Sequence, residues 1–299
     1  MNRVRESQAL LSMLLAVCFW SLNPVAMKMA LMSSSIFVLA AFRVVAAALL
    51  LWGFVWLWSR QFRWKDLGVQ PFLMGILEPG INSFLFLWAM TLVSVPNVIL
   101  FSCMMPFAQS LLGYWVLKEP LEKPVWLGGV LGLLGMLIFL KEQTFDWSLG
   151  LGNAVLLLAY GLTGVNQLLT RRVMLEQRPL FLTTSCQMTV AAVVTLLVLG
   201  VSGEWTQPPQ VSTSGDWFLL FYLAGSIGLP FLLYNRALRE VSMGLASLMI
   251  ILTVPLGFFF SWLLLQEEMT SSHLLGAALV AGGVILPQLT KIRARPIPA

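Results

Sequence analysis

One carboxyl group lies inside an apolar stretch and is the residue best placed to do chemistry. Glu78, in the segment LEPGIN (77–82), is about nine residues into the apolar run 69–91, roughly 13 Å along a helix from the start of that run. At that depth in a membrane an ionisable group is costly unless it is paired, hydrated or neutral, so it is a functional candidate. We expect Glu78 to bind a ligand amine or to carry a proton. The alternative is a structural ion pair with Lys28 or Arg43.

Lys28 and Arg43 are the basic residues that lie within apolar runs. Lys28 is about 5 Å of helix rise from one end of its run, so its side chain can reach water. Arg43 is deeper, about seven residues into the next run. Anchoring or an ion pair is the plainer interpretation of each, and a gate or a contact with a substrate carboxylate is the alternative. Together with Glu78 they would suit a zwitterion.

Prolines and polar or aromatic residues add to this candidate site. A proline within a spanning helix frees backbone carbonyls, which is tolerated only inside protein or beside a wet cavity. Five prolines in the middle of apolar runs predict hinges or an irregular binding surface, with packing kinks as the alternative: Pro24, Pro79, Pro106, Pro230 and Pro255. Asn23 and Asn82 lie within three residues of such prolines and are candidate substrate contacts, with interhelical hydrogen bonds as the alternative. Trp20 and Tyr160 are candidate cavity walls or core residues.

The composition requires a lipid environment for these residues. The 299 residues are 59% hydrophobic and 10% charged, whereas a soluble domain carries roughly a quarter charged residues. At about 20 residues per spanning helix the length accommodates roughly ten spans. An all-α integral membrane fold is therefore predicted, with ten transmembrane helices near 9–31, 36–58, 69–91, 96–117, 124–141, 148–170, 180–202, 216–235, 244–266 and 272–290.

The distribution of lysine and arginine predicts the orientation. With the N-terminus inside, 15 of the 18 basic residues fall in segments on the cytoplasmic side, where such residues accumulate. Both termini are therefore predicted to be cytoplasmic. Basic residues in these short loops do not form a nucleic-acid surface, despite a net charge of +5.

The two halves of the chain resemble each other. FLWAMTLVS (86–94) aligns with YNRALREVS (234–242), and Pro106 and Glu119 align with Pro255 and Glu268. Two five-helix repeats are predicted, residues 1–143 and 144–299, and an odd number of helices places them in opposite orientations. Inverted repeats of this kind are a design of secondary transporters. Duplication for stability alone is the alternative.

Several chemistries are disfavoured. The three Asp residues are all in loops, and neither a Ser/His arrangement nor histidines at metal-ligand spacing are present, so we expect no enzyme and no metal. The three cysteines show no CxxC spacing. Rings of charge typical of channels and an ATP-binding loop are also lacking, so we expect no cofactor and transport driven by an ion gradient, by exchange or by the substrate gradient.

Long stretches resemble the drug/metabolite transporter superfamily, specifically its EamA-type ten-helix members. They include FWSLNPVAMKMAL (19–31), AAFRVVAAALLL (40–51) and the Pro…Glu…Gly…Gly order that occurs in both halves. The resemblance implies export of amino acids or related small metabolites, often across bacterial inner membranes. It also implies a cavity lined by helices one, three, four, six, eight and nine. A multidrug exporter of hydrophobic cations, with Glu78 as the central acid, is the alternative.

Glycines at four-residue spacing predict close helix packing. GGVLGLLG (128–135) and GAALVAGG (276–283) lie in the fifth and tenth helices. Such spacing lets backbones approach closely. The two helices are expected to pack on each other, or to form a homodimer surface.

Overall fold

The computed structural model describes residues 3–30, 34–58, 65, 67–93, 95–140, 150–204, 214–266, 268 and 270–293. Within these residues the regular structure is helical. A π-helical segment, Ile76–Ile81, lies between α3 and α4. The α-helices are α1 (Arg3–Ala30), α2 (Ile36–Trp58), α3 (Gln70–Gly75), α4 (Asn82–Leu92), α5 (Val95–Leu117), α6 (Lys123–Phe139), α7 (Leu151–Leu175), α8 (Leu180–Ser202), α9 (Ser214–Ala237), α10 (Met243–Ile250), α11 (Thr253–Leu265) and α12 (Ser271–Arg293).

Each predicted apolar run overlaps a helical segment, so the all-helical prediction is confirmed for the described residues. Four of the segments that the structure describes are long and apolar enough to cross a membrane by length and composition alone. They are Ile36–Leu57, Leu180–Ser202, Met243–Leu264 and Ser271–Thr290. The number of spans and their orientation stay predictions.

The third apolar run is interrupted at its acidic residue. Glu78 has an extended backbone (φ −149°, ψ 125°) in the middle of the π-helical segment, and its peptide bond to Pro79 is cis. Pro79 and Gly80 are buried there. The carboxyl group predicted to lie inside a spanning helix therefore sits on irregular backbone that connects α3 to α4.

The ninth apolar run forms α10 and α11, and Ile251 and Leu252 between them keep right-handed helical dihedral angles. Pro255 is in the first turn of α11, and just before it Leu252 and Val254 donate to carbonyls three residues earlier instead of four. A proline ring clashes with the carbonyl four residues earlier, here that of Ile251, which explains the position of these irregular hydrogen bonds. Pro106 and Pro230 lie inside α5 and α9, which continue past them.

The contacts between helices form a symmetrical set: when each helix of the first half is exchanged with the equivalent helix of the second half, the same pairs pack together. α1 packs on α9 as α4 packs on α7, and α1 packs on α11 as α5 packs on α7. The contact of α2 with α9 corresponds to that of α3 and the π-helical segment with α8. Three further pairs map onto themselves: α2 with α8, α5 with α10, and α6 with α12. Each of these contacts joins one half of the chain to the other.

Glycines bring the backbones of α6 and α12 into contact. A Cβ atom added at Gly128 would lie under 3.0 Å from the carbonyl oxygen of Gly283, and the reverse also holds. Gly135 and Gly276 form a second reciprocal pair of this kind, about two turns along the helices. Only glycine fits at such positions. The glycines with four-residue spacing therefore pack α6 on α12, the predicted fifth and tenth spanning helices, within one chain.

Candidate functional site

Neutral polar side chains surround the Glu78 carboxyl group. The Nδ2 atom of Asn166 in α7 donates to its Oε2 atom over 3.4 Å. Asn82, the first residue of α4, and Thr163 of α7 also lie close to the carboxyl group. Asn82 in addition donates from Nδ2 to the Thr163 hydroxyl over 2.9 Å. We call Glu78, Asn82, Thr163 and Asn166 the Glu78 cluster.

The structural ion pair considered for Glu78 does not form with Arg43. The Nη2 atom of Arg43 donates instead to the Oδ1 atom of Asn23 over 3.2 Å. Among the residues that the structure describes, none of the ion pairs involves Glu78. Lys28 and Pro24 lie in α1, but their side chains are outside the described part of the chain.

Residues from the other half of the chain hold the irregular backbone around Glu78. Gln187 of α8 donates from Nε2 to the Glu78 carbonyl oxygen over 2.9 Å. The Oε1 atom of Gln187 in turn accepts from Nδ2 of Asn235 in α9 over 3.2 Å. The Ser83 hydroxyl donates to the Pro79 carbonyl oxygen. Backbone carbonyls at the break therefore have partners, as buried backbone polar groups require.

The two predicted aromatic residues lie in different surroundings. Trp20 of α1 packs against Phe231 and Tyr234 of α9, with ring centroids 5.6 and 5.5 Å apart. Tyr234 is within the range of charge interactions of Glu78. Tyr160 of α7 packs edge-on against Phe86 of α4 at 5.1 Å. Of the two residues, Trp20 therefore belongs to the aromatic group that extends toward Glu78.

The remaining predicted contacts form a second group. Asn23 and Arg43 are joined by the hydrogen bond described above, and Arg43 interacts electrostatically with Tyr222 of α9. The Tyr222 hydroxyl donates to the carbonyl oxygen of Phe19 in α1 over 2.6 Å. The structure thus brings Asn23 and Arg43 together on α1 and α2, next to α9.

Sequence reasoning missed one polar face of α7. Thr163, Asn166, Gln167, Thr170 and Arg171 recur at intervals of one, three or four residues, which places them on one side of a helix. Asn166 contacts Glu78, and the Oε1 atom of Gln167 accepts from the Ser247 hydroxyl of α10 over 3.2 Å. The helical spacing of these residues in an apolar segment was the signal that could have identified the face.

A largely buried ion pair lies at the end of this face. The Nε atom of Arg171 is 2.6 Å from Oε1 of Glu119, and the two side chains are 10% and 12% exposed. The other carboxylate oxygen, Oε2, accepts from the backbone N–H of Met243, the first residue of α10, over 3.0 Å. Glu119 therefore caps the N-terminus of α10 in the other half of the chain, not that of the adjacent α6.

Comparisons with known proteins agree on a family and a fold. The EamA-like transporter family matches the chain twice, over residues 7–141 and 150–287. "Uncharacterized transporter YoaV" of Bacillus subtilis (strain 168) is 25% identical over 228 residues, which cover 76% of each protein. A crystal structure of a protein superposes with a TM-score of 0.76 at 16% identity, and covers 97% of this chain and 99% of its own. The last likeness concerns the fold alone.

Proposed function

The chain belongs to the EamA-like transporter family, and we propose that it is a secondary transporter that exports amino acids or related small metabolites. Two inverted halves, residues 1–143 and 144–299, alternate in their access to the two sides of a bacterial inner membrane. Ten helices span the membrane, and both termini are cytoplasmic. The observation that carries this proposal is the Glu78 carboxyl, which lies on a broken helix where the two halves meet.

The contacts of Glu78 support alternating access. Its side chain meets Asn166 of the second half, and its backbone carbonyl is held by Gln187, also of the second half. A ligand bound between two halves becomes accessible first from one side of the membrane and then from the other when the halves rock against each other. The exchange symmetry of the helix packing supports the same motion, because it makes two equivalent arrangements of the halves geometrically available.

Broken helices provide points at which the halves can bend. The irregular backbone at Glu78 separates α3 from α4, and the helical hydrogen bonding between α10 and α11 is irregular just before Pro255. In transporters such interruptions lie beside the substrate site. We propose that Pro79 and Pro255 set these hinges, and that Pro24, Pro106 and Pro230 allow smaller bends in their helices.

A second candidate function has a specific observation in its favour. Trp20 and Tyr234 place aromatic rings beside the Glu78 cluster. Aromatic faces attract organic cations, and a carboxylate adds charge attraction. A multidrug exporter of hydrophobic cations with Glu78 as the central acid is therefore the alternative.

Ligand-induced thermal stabilisation separates the two candidates. The purified protein in detergent is screened with amino acids and with lipophilic cations, at acidic and neutral pH, as wild type and as Glu78→Gln. Glu268→Gln is the matched control, because that carboxyl is exposed. We expect an amino acid to stabilise the wild type and the control but not Glu78→Gln. Stabilisation by lipophilic cations alone favours the second candidate, and equal stabilisation of all three proteins removes Glu78 from the site.

Cysteine accessibility tests the mechanism. The native Cys18, Cys103 and Cys186 are first replaced by alanine, and a single cysteine then replaces Ser83, which is next to the Glu78 cluster but not part of it. Membrane-impermeant reagents should label it from one side of the membrane without ligand and from the other side under an imposed gradient of the ligand. Labelling confined to one side in every condition would contradict alternating access.

A further inference from the structure

We propose that the Glu78 cluster selects ligands whose ammonium group carries N–H bonds, and discriminates against quaternary ammonium groups. This inference rests on the proposed function, since it concerns the ligand of the same site. It narrows the substrate class to amines and amino acids with a free amino group.

The charge of the site favours a cation. Glu78 is the acidic residue of the cluster, and Asn82, Thr163 and Asn166 are neutral. Among the described residues, no lysine or arginine forms an ion pair with this carboxyl. An ionised carboxylate at membrane depth requires a compensating charge or a proton. A ligand ammonium supplies that charge.

The hydrogen-bonding atoms left over in the cluster are acceptors. Asn82 and Asn166 are 3% and 1% exposed, and their Oδ1 atoms have no hydrogen-bond partner among the described residues. Their Nδ2 atoms are already engaged, that of Asn82 with the Thr163 hydroxyl and that of Asn166 with the Glu78 carboxyl. The orientation of Asn166 follows from electrostatics, because its oxygen would be repelled by a carboxylate. Two buried amide oxygens beside Glu78 are thus available to a donor.

An ammonium group with N–H bonds matches this set, and a quaternary one does not. A primary ammonium has three N–H donors for the carboxylate and the two amide oxygens. A trimethylammonium group has the same charge but no donor, so both buried oxygens remain unpaired when it binds. The rings of Trp20 and Tyr234 attract either cation and do not discriminate between them. Hydrogen bonding therefore decides the selectivity.

Stepwise methylation of a ligand nitrogen tests the inference. Two series are titrated against the purified full-length protein in detergent: phenethylamine with its N-methyl, N,N-dimethyl and N,N,N-trimethyl derivatives, and glycine with sarcosine, dimethylglycine and betaine. All members carry a positive nitrogen at neutral pH. We expect each replaced N–H to weaken binding roughly tenfold, because hydrogen bonds to charged groups are worth about that factor. The fully methylated members should bind most weakly.

Two variants assign the selectivity to the cluster. Asn82→Leu removes one of the free acceptors, so it should reduce the preference for the primary amine by about one tenfold step. Asn82→Gln retains a neutral amide with an oxygen acceptor and should preserve part of the preference, which controls for misfolding of the leucine variant.

The outcomes separate this inference from the proposed function. The inference is overturned if the quaternary members bind as tightly as the primary ones. It is also overturned if no member of either series binds. If quaternary members bind and Glu78→Gln abolishes that binding, the role of Glu78 in the proposed function survives. If Glu78→Gln binds every member as the wild type does, the proposed site itself is wrong.

Discussion

Removal of one partner of the Glu119–Arg171 ion pair is expected to destabilise the protein more than removal of both. Loss of one partner of a buried ion pair costs about 3–5 kcal/mol, because the remaining charge is left uncompensated. The two side chains are 12% and 10% exposed, so we take the lower end, about 3 kcal/mol, for Glu119→Gln and for Arg171→Met. Glutamine at 119 retains an oxygen acceptor for the Met243 N–H, so the substitution isolates the effect of charge.

The decisive measurement is the unfolding free energy of the double variant, Glu119→Gln with Arg171→Met. With both charges removed, no buried charge is left alone, so we expect a cost of about 1–2 kcal/mol instead of the roughly 6 kcal/mol given by the sum of the single variants. Unfolding free energies are measured in detergent by denaturant titration for the wild type, both single variants and the double variant. Arg172→Gln is the control, since Arg172 pairs with Glu176 at 3.8 Å with 64% and 38% exposure. It should cost less than about 0.5 kcal/mol.

Additive losses of unfolding free energy in the two single variants would refute this reasoning. If the double variant costs as much as the two single variants together, the charges of Glu119 and Arg171 are not coupled. The contact between α7 and the start of α10 then depends on packing instead. A large effect of Arg172→Gln would indicate a general sensitivity of α7 to substitution.

Two further predictions concern close packing and the support of the irregular backbone. Gly128→Ala should cost about 3 kcal/mol of unfolding free energy, because its Cβ would meet the backbone oxygen of Gly283. The control Gly282→Ala, which has open space around it, should be neutral or slightly stabilising. Equal effects of the two substitutions would contradict the described packing. Gln187→Leu should cost about 1–3 kcal/mol by leaving the Glu78 carbonyl without its donor, and should reduce ligand-induced stabilisation; an unchanged ligand effect would show that Gln187 does not support the site.

The helices could be predicted from the sequence, because apolar runs of sufficient length have few other structures in lipid. The location of the irregular segments could not be predicted as well. Pro255 marked the ninth run, but the irregular hydrogen bonds lie at Leu252 and Val254, since the steric conflict of a proline lies four residues upstream of it. The apolar pattern continues across this segment and gives no sign of it.

Two members of the Glu78 cluster were selected from the sequence, and their role in ligand binding stays a prediction. Glu78 and Asn82 stood out as polar residues near a proline, and the structure places them in one cluster. Their partners Thr163 and Asn166 did not stand out, because contacts between distant helices depend on how each helix is rotated about its axis. The same limit applies to Glu119, because the helix N-terminus that it caps, that of α10, is about 120 residues away in the sequence.

The glycine contact between α6 and α12 joins helices that are synthesised at different times. α6 ends at Phe139 and α12 begins at Ser271, so the ribosome adds the 131 residues 140–270 between the two. At roughly 5–20 residues per second this interval lasts roughly 7 to 26 seconds. During that time the glycine face of α6 meets lipid or the insertion machinery, not its final neighbour. The contact between the two glycine faces therefore forms only after α12 has been synthesised.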